Sequence, residues 1–169
     1  AETFEEAIEA QTFARDYGTG IRNTVGLSSV RRNTDGSQAV GNGGDVNLTT
    51  ETLELENVAV IDTSVFGTGN GGDINVNANS ITLTGNLSTF ISQVRGFDLP
   101  LVREQGRGNG GNLNINTDSI SFDELTGILL DVQTGARGNG GDININATGN
   151  VDFINEEGFT FVLPQLGSE

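Results

Sequence analysis

The octapeptide Gly41-Asn42-Gly43-Gly44-Asp45-Val46-Asn47-Leu48 occurs in four closely similar copies, and its repetition decides the fold. The later copies begin at Gly69, Gly108 and Gly138, so the separations are 28, 39 and 30 residues. In each copy a glycine-rich corner precedes an alternation of apolar and polar residues. Self-similarity at such a long period is typical of solenoids, in which equivalent segments stack on one another.

Each repeat contains three short apolar segments. In the first, two apolar residues are separated by one polar residue, as a strand with one buried face requires; the pairs are Val46/Leu48, Ile74/Val76, Leu113/Ile115 and Ile143/Ile145. The second segment contains Leu53/Leu55, Ile81/Leu83, Ile120/Phe122 and Val151/Phe153. The third is looser and contains Val58/Val60, Leu87 with Phe90 or Ile91, Leu125 with Ile128 and Leu130, and Phe159/Phe161. Three strands per repeat predict an all-β, right-handed parallel β-helix of about five coils, with equivalent strands stacked about 4.8 Å apart.

The pattern divides the chain into an N-terminal cap and the repeats. Residues 1–17 carry a capping box, Thr3 with Glu6, and apolar residues at helical spacing, which predict a short α-helix that caps the solenoid. Residues 18–169 are predicted to form the β-helix, with coils starting near residues 18, 41, 69, 108 and 138. The repeat that begins at residue 69 is long, so residues 97–105 are predicted to leave the stack as a loop. An antiparallel sandwich is the alternative fold, but it does not require matched repeats at this long period.

The composition argues against several classes of function. Eight basic and 23 acidic residues give a net charge of −15, which disfavours binding to nucleic acid or to an anionic membrane surface. No window is apolar enough for a membrane span, so we expect no membrane insertion. Without cysteine and histidine there is no thiolate metal site and no imidazole base. The acidic residues do not converge as a polysaccharide lyase or hydrolase requires, so we expect neither catalysis nor a cofactor.

Stacking would place two columns of outward polar side chains along the first strands. The first column consists of Asn47, Asn75, Asn114 and Asn144, and the second of Thr49, Asn77, Asn116 and Asn146. Amides stacked in register can bond to one another along the axis, so the columns are predicted to form a ladder that fixes the register. The alternative is a flat polar face that binds glycan.

A third column carries carboxylates. Asp45, Asp73 and Asp142 follow the glycine corner in three repeats, and Asn112 takes their place in the fourth. Oxygen ligands beside glycine turns can hold Ca²⁺, but nonapeptide calcium repeats have a period of about nine residues, far shorter than this one. We therefore expect each aspartate to accept backbone N–H groups of its own turn, with a calcium site as the alternative.

The pattern Gly-x-Gly-Asn-Gly-Gly-Asp/Asn-Ile-x-Ile, present at residues 67–76 and 106–115, resembles the repeats of filamentous-haemagglutinin-like exoproteins of the cyanobacterial type. The resemblance covers about residues 41–161. It implies a right-handed parallel β-helix that a Gram-negative bacterium exports by two-partner secretion. It also implies display outside the cell or on its surface, as an adhesin or a fibre.

The sequence thus predicts a structural, non-enzymatic solenoid that contributes to an extracellular fibre or adhesin. The apolar segment that contains Phe159, Phe161, Val162 and Leu163 is expected to form the terminal layer or to pair with another chain. Copies of the protein are accordingly expected to associate end to end through their strand edges. A glycan-binding module that uses the outward asparagine columns is the alternative function, and a carbohydrate-active enzyme is a third.

Overall fold

The computed structural model describes residues 20–25, 39–85, 87–95, 97–99, 102–104, 106–123, 125–133, 135–154 and 161–163. Every regular element in these ranges is a β-strand, which confirms the predicted all-β class. The strands are β1 (Gly20–Arg22), β2 (Val46–Glu56), β3 (Val60–Asp62), β4 (Ile74–Thr84), β5 (Thr89–Ile91), β6 (Phe97–Leu99), β7 (Val102–Glu104), β8 (Leu113–Phe122), β9 (Gly127–Leu129), β10 (Ile143–Ala147), β11 (Val151–Phe153) and β12 (Phe161–Leu163). The helix predicted for residues 1–17 lies outside the described ranges.

Most of these strands belong to two parallel sheets. Sheet 1 contains the short strands in the order β1-β3-β5-β9-β12, and sheet 2 contains β10-β8-β4-β2, with β11 also paired to β8. Equivalent residues of successive repeats are register partners, so that Asn75 lies between Asn47 and Asn114. Parallel strands in two sheets, paired in the register of the sequence repeats, are compatible with the predicted β-solenoid.

Both sheets contribute to one hydrophobic core, because each repeat supplies apolar side chains at the same positions. Sheet 2 contributes Leu83 and Phe122, and sheet 1 contributes Phe90 and Ile128, all fully buried. At the C-terminal end, Phe153 stacks on Phe122 with ring centroids 5.1 Å apart. The core is therefore a series of thin layers, one per repeat, rather than a single bulky centre.

The first and second predicted strands are joined into one long strand in three repeats, which corrects the prediction of three separate strands. In β4, residues 74, 76 and 78 are buried, and the next buried positions are 81 and 83. The step of three residues shows that the strand bends at Asn79–Ser80, because a straight strand buries every second residue. The backbone ladder nevertheless continues across the bend, since Ala78 pairs with Thr117 and Ser80 pairs with Ser119.

In the last repeat the bend contains a β-bulge. Ala147 pairs with Thr117 and Val151 pairs with Ile120, so residues 148–150 lie opposite residues 118–119. One extra residue on one strand of a pair is the definition of a bulge, and it interrupts the ladder locally. This insertion separates β10 from β11, whereas β8 continues without a break.

The glycine corners bring successive repeats too close together for a side chain. A Cβ atom at Gly108, where φ is +143°, would lie 1.7 Å from the carbonyl oxygen of Gly69, and one at Gly138 would lie 1.5 Å from that of Gly108. Gly41, the equivalent residue of the first repeat, lies in open space among the described residues. At Gly108 and Gly138 glycine is therefore required for two reasons. The carbonyl of the preceding repeat leaves no room for a Cβ, and the turn itself has a positive φ.

The insertion predicted as a loop at residues 97–105 contains a β-hairpin. Strands β6 and β7 pair antiparallel, with Phe97 opposite Glu104 and Leu99 opposite Val102. They form a two-stranded sheet apart from sheets 1 and 2. Antiparallel pairing satisfies backbone groups of a segment that leaves the parallel stack, which explains why it is more regular than a loop.

Candidate functional site: the polar columns of sheet 2

The first asparagine column is a continuous chain of amide hydrogen bonds. Asn75 donates from Nδ2 to Oδ1 of Asn47 at 2.9 Å, Asn114 donates to Asn75 at 2.9 Å, and Asn144 donates to Asn114 at 3.0 Å. Each of these three donations runs toward the preceding repeat. An inner amide uses one N–H and one oxygen lone pair in this way, and its remaining N–H and lone pair are available for other partners.

The second column has the same arrangement beside a groove. Asn116 donates to Asn77 at 3.1 Å and Asn146 donates to Asn116 at 3.3 Å. The groove has a volume of about 350 Å³ and follows the bend of the long strands. Its polar lining includes Asn77, Asn79, Asn116, Asp118, Asn146 and Thr148.

The carboxylates of the third column bond to the next repeat rather than to their own turn, which corrects the expected local bonds. Asp45 accepts the backbone N–H of Asp73 at 2.9 Å, Asp73 accepts that of Asn112 at 2.7 Å, and Asn112 accepts that of Asp142 at 2.9 Å. These N–H groups point along the stack at the preceding repeat. Because an amide oxygen can accept the same bond, Asn112 replaces aspartate without loss of the contact.

The sequence also left open a Ca²⁺ site formed by the aspartates of this column, which are Asp45, Asp73 and Asp142. Within the ranges that the structure describes, there is no group of three or more His, Cys, Asp or Glu side chains that could hold a metal ion. The observed role of the column is the axial bond just described, in which each side-chain oxygen accepts one backbone N–H.

Sequence reasoning did not identify a fourth column, which consists of Asn42, Asn70, Asn109 and Asn139. Asn42 Oδ1 accepts the backbone N–H of Asn70 at 2.9 Å, and the bonds from Asn109 to Asn70 and from Asn139 to Asn109 measure 3.0 and 3.2 Å. The signal was present, because asparagine is the second residue of all four glycine corners. Asparagine is also a common turn residue, so its recurrence in a glycine corner does not by itself predict axial bonds.

A buried polar layer connects sheet 1 to the glycine corners, and sequence reasoning did not identify it either. Ser92 Oγ accepts the backbone N–H of Gly111 at 2.7 Å, and Ser64 Oγ accepts that of Gln93 at 3.1 Å. Gln93 in turn bonds to Arg95 and Asp131. The Arg95 guanidinium lies 4.9 Å from the centre of the Phe66 ring. The hydrogen bonds satisfy buried polar groups of Ser64, Ser92 and Gln93, and the bond from Gly111 to Ser92 holds one of the glycine corners in place.

The predicted self-association segment is placed only in part. Residues 161–163 form β12, which pairs in parallel with β9 of the same chain, and Phe159 lies outside the described ranges. The backbone of Phe161, Val162 and Leu163 therefore forms the last strand of sheet 1. Within this single chain the segment lies where the terminal-layer alternative predicts it, and pairing with another chain stays a prediction.

No helix long and apolar enough to cross a membrane occurs in the described part of the chain. In comparisons with known proteins, neither a family model, nor a curated protein, nor a solved structure matches the chain.

Proposed function

We propose that the chain is a structural, non-enzymatic unit of an extracellular fibre or adhesin, of the filamentous-haemagglutinin-like type. In this proposal a Gram-negative bacterium exports it, and the chain forms a right-handed parallel β-helix of about five coils with an N-terminal helical cap. The observation that supports the proposal best is that four repeated polar positions each bond to the neighbouring repeat along the axis. Such a surface holds repeats together rather than gathering different residues around one reacting atom.

The chemistry of the columns suits a scaffold outside the cell. Each axial bond contributes about 0.5–1.5 kcal/mol, and a stack repeats the same contact at every layer. Because a solenoid's stability depends on nearest-neighbour contacts, these bonds add directly to the cohesion between repeats. The net charge of −15 keeps the polar surface solvated and disfavours non-specific aggregation.

Surface display provides the test of this function. An antibody raised against the chain is expected to label intact cells of the organism that encodes it, and external protease is expected to remove the label. An antibody against a periplasmic protein serves as the control for cell integrity. Labelling that appears only after the cells are permeabilised would contradict the proposed location.

The groove supports a second candidate, a glycan-binding module. Within the second column Asn116 uses one N–H and one lone pair in the axial bonds, so its amide keeps a second N–H and a second lone pair. The side chains of this column recur along the axis at the spacing of the strands, about 4.8 Å. Vicinal hydroxyl groups of an extended sugar chain present the complementary acceptors and donors. The acidic Asp118 beside them favours a neutral glycan over an anionic one.

Two matched triple variants distinguish binding from scaffolding. Replacement of Asn77, Asn116 and Asn146 by alanine changes the groove, whereas replacement of Asn75, Asn114 and Asn144 changes the neighbouring column. If the groove binds glycan, the first variant loses at least about tenfold in affinity on a glycan array, since about 1.4 kcal/mol of lost hydrogen bonding is sufficient. The second variant is expected to retain binding and only to melt earlier. An array on which the unmodified protein retains no glycan would overturn this candidate and leave the scaffold proposal intact.

A further inference from the structure

We propose that Asn139 is a site of spontaneous covalent modification, at which its side-chain amide is converted to aspartate or isoaspartate. The site is the dipeptide Asn139-Gly140 in the last glycine corner. A glycine that follows asparagine has no side chain to shield its backbone nitrogen, so this nitrogen can approach the neighbouring amide carbon closely. The inference concerns the chemistry of the chain itself and depends neither on its export nor on glycan binding.

The sequence contains four copies of this dipeptide in the same immediate surroundings. In every copy one glycine precedes the asparagine and two follow it; the asparagines are Asn42, Asn70, Asn109 and Asn139. Every other asparagine of the chain precedes a residue with a side chain. The four residues are all exposed. Since local sequence and exposure are alike, the difference in reactivity between the four sites comes from the hydrogen bonds of the stack.

The reaction requires only water and a solvent base. The base removes the proton from the Gly140 backbone nitrogen, which then forms a bond to Cγ of Asn139. The bond between Cγ and Nδ2 breaks, ammonia leaves with a proton taken from solvent, and a cyclic succinimide remains. Water opens the ring at one of its two carbonyl carbons. One opening gives aspartate with the original backbone, and the other gives isoaspartate, in which the backbone runs through the side-chain carbons.

In the first three corners the stack holds the attacking nitrogen. The N–H of the glycine that follows each asparagine donates to the carbonyl oxygen of the asparagine in the next repeat, at 2.8 or 2.9 Å; the pairs are Gly43 with Asn70, Gly71 with Asn109, and Gly110 with Asn139. Such a nitrogen retains its proton and its orientation until the bond opens, and opening interrupts the contact between two repeats. These three sites are therefore protected in the folded chain.

The stack also holds the side-chain amides of these three corners. Oδ1 of each asparagine accepts the backbone N–H of the asparagine in the next repeat; the distances from the residue 42, 70 and 109 oxygens are 2.9, 3.0 and 3.2 Å. An amide fixed in this way does not rotate freely toward the glycine nitrogen. Reaction at each of the three sites therefore requires two axial hydrogen bonds to open.

Both restraints are missing at the last corner. Within the ranges that the structure describes, the Gly140 N–H donates to no residue and Oδ1 of Asn139 accepts no hydrogen bond. The Asn139 side chain retains one bond there, from Nδ2 to Oδ1 of Asn109 at 3.2 Å. The two groups that must meet are thus less restrained at Asn139 than at any of the other three corners.

Either product weakens the contact between the last two repeats. The modification replaces the Nδ2 donor of Asn139 by a carboxylate oxygen, which cannot donate to Oδ1 of Asn109. Isoaspartate also lengthens the backbone within the corner that leads into β10, and so disturbs the register of β10 with β8. Both products add a negative charge to a chain whose net charge is already −15.

Timed peptide mapping of the full chain tests the proposal. The folded protein is incubated in mildly alkaline buffer, in which base removes amide protons more readily, and samples are digested for mass spectrometry. Replacement of NH₂ by OH identifies each modified asparagine, and fragmentation distinguishes isoaspartate from aspartate. Asn139 is expected to react at least about tenfold faster than the other three asparagines, since two hydrogen bonds of ordinary strength are sufficient for that factor.

The same chain unfolded in guanidinium chloride is the matched control. Without the stack the four sites differ little, because their immediate neighbours are identical, and their rates are expected to be similar. Equal rates at the four sites of the folded protein, or faster reaction at one of the first three, would overturn the proposal. Retention of all four amides by the folded protein, over a time in which the unfolded chain loses them, would overturn it as well.

A pair of glutamine variants assigns the reactive residue independently. Asn139→Gln keeps an amide at the site, but its longer side chain would have to close a larger ring. The unmodified protein is expected to release a single equivalent of ammonia in a fast phase, which Asn139→Gln loses and Asn42→Gln retains. Circular dichroism verifies that both variants keep their β-structure. A fast phase that persists in Asn139→Gln, or that disappears in Asn42→Gln, would contradict the assignment.

Discussion

Gly108→Ala is expected to lower the free energy of unfolding by at least about 4 kcal/mol, a loss large enough to unfold much of the protein at 25 °C. The added Cβ would lie 1.7 Å from the carbonyl oxygen of Gly69, and that oxygen belongs to backbone held in the stack. The residue also has φ of +143°, which side-chain-bearing residues rarely adopt. Relief of the clash would require the two repeats to separate, with loss of the axial bonds on both sides of the corner.

Gly41→Ala is the matched control, because Gly41 occupies the same position in the first repeat. Its added Cβ meets no described atom within 4 Å. In dilute protein we expect its free energy of unfolding to change by less than about 0.5 kcal/mol. Urea unfolding followed by circular dichroism measures both variants. Equal midpoints for Gly108→Ala and Gly41→Ala would show that stacking does not impose the glycine.

The stacking of the repeats was predictable because nearly the same octapeptide occurs four times in the sequence. The four copies of the glycine corner fix which residues become register partners, and the structure pairs Asn47 with Asn75 and Asn75 with Asn114 accordingly. The apolar positions within each copy then follow from the alternation of a strand. Local propensity alone would not have given this result, since asparagine and glycine are poor strand formers.

The continuity of the long strands was not predictable from the same pattern. The break in alternation between Ala78 and Ile81 is compatible either with two strands joined by a turn or with one bent strand. Which of these two structures forms depends on whether the backbone hydrogen bonds to the neighbouring repeat continue through the bend. The sequence of a single repeat does not determine this. In the last repeat one extra residue, at positions 148–150, is enough to divide the strand.

The hydrogen-bond partners of the polar columns could be predicted from the sequence only for bonds between two side chains. Stacked asparagines at positions 47, 75, 114 and 144 imply amide bonds directly from register. The bonds that Asp45 and Asn42 accept from backbone N–H groups of the next repeat depend on which way those groups point, and sequence spacing does not specify this direction. The substitution of Asn112 within an aspartate column was the available clue, because an amide oxygen and a carboxylate oxygen can accept the same backbone N–H.

The central claim of this account is that the repeats stack in parallel with equivalent residues side by side. It predicts that a disulfide forms between cysteines placed at Asn75 and Asn114, which are register partners in β4 and β8. Neighbouring strands lie about 4.8 Å apart, which is within the Cα separation of a disulfide. The chain contains no cysteine, so every disulfide would come from the introduced pair.

The double variant Asn75→Cys/Asn116→Cys is the off-register control. Asn116 is the partner of Asn77, two residues further along the strand, so its Cα lies about 8 Å from that of residue 75 and beyond the reach of a disulfide. Both double variants place one cysteine in each of the same two strands. They differ only in register, and dilute protein in native buffer excludes links between chains.

Closure of these two disulfides, measured as loss of free thiols and as a cross-linked peptide in mass spectrometry, is the most direct test of the account. We expect near-complete closure of the 75/114 pair and little closure of the 75/116 pair under the same mild oxidation. The closed 75/114 disulfide is also expected to raise the free energy of unfolding by about 3 to 4 kcal/mol, because it closes a long loop in the unfolded chain. Equal closure of the two pairs, or preferential closure of the 75/116 pair, would contradict in-register parallel stacking.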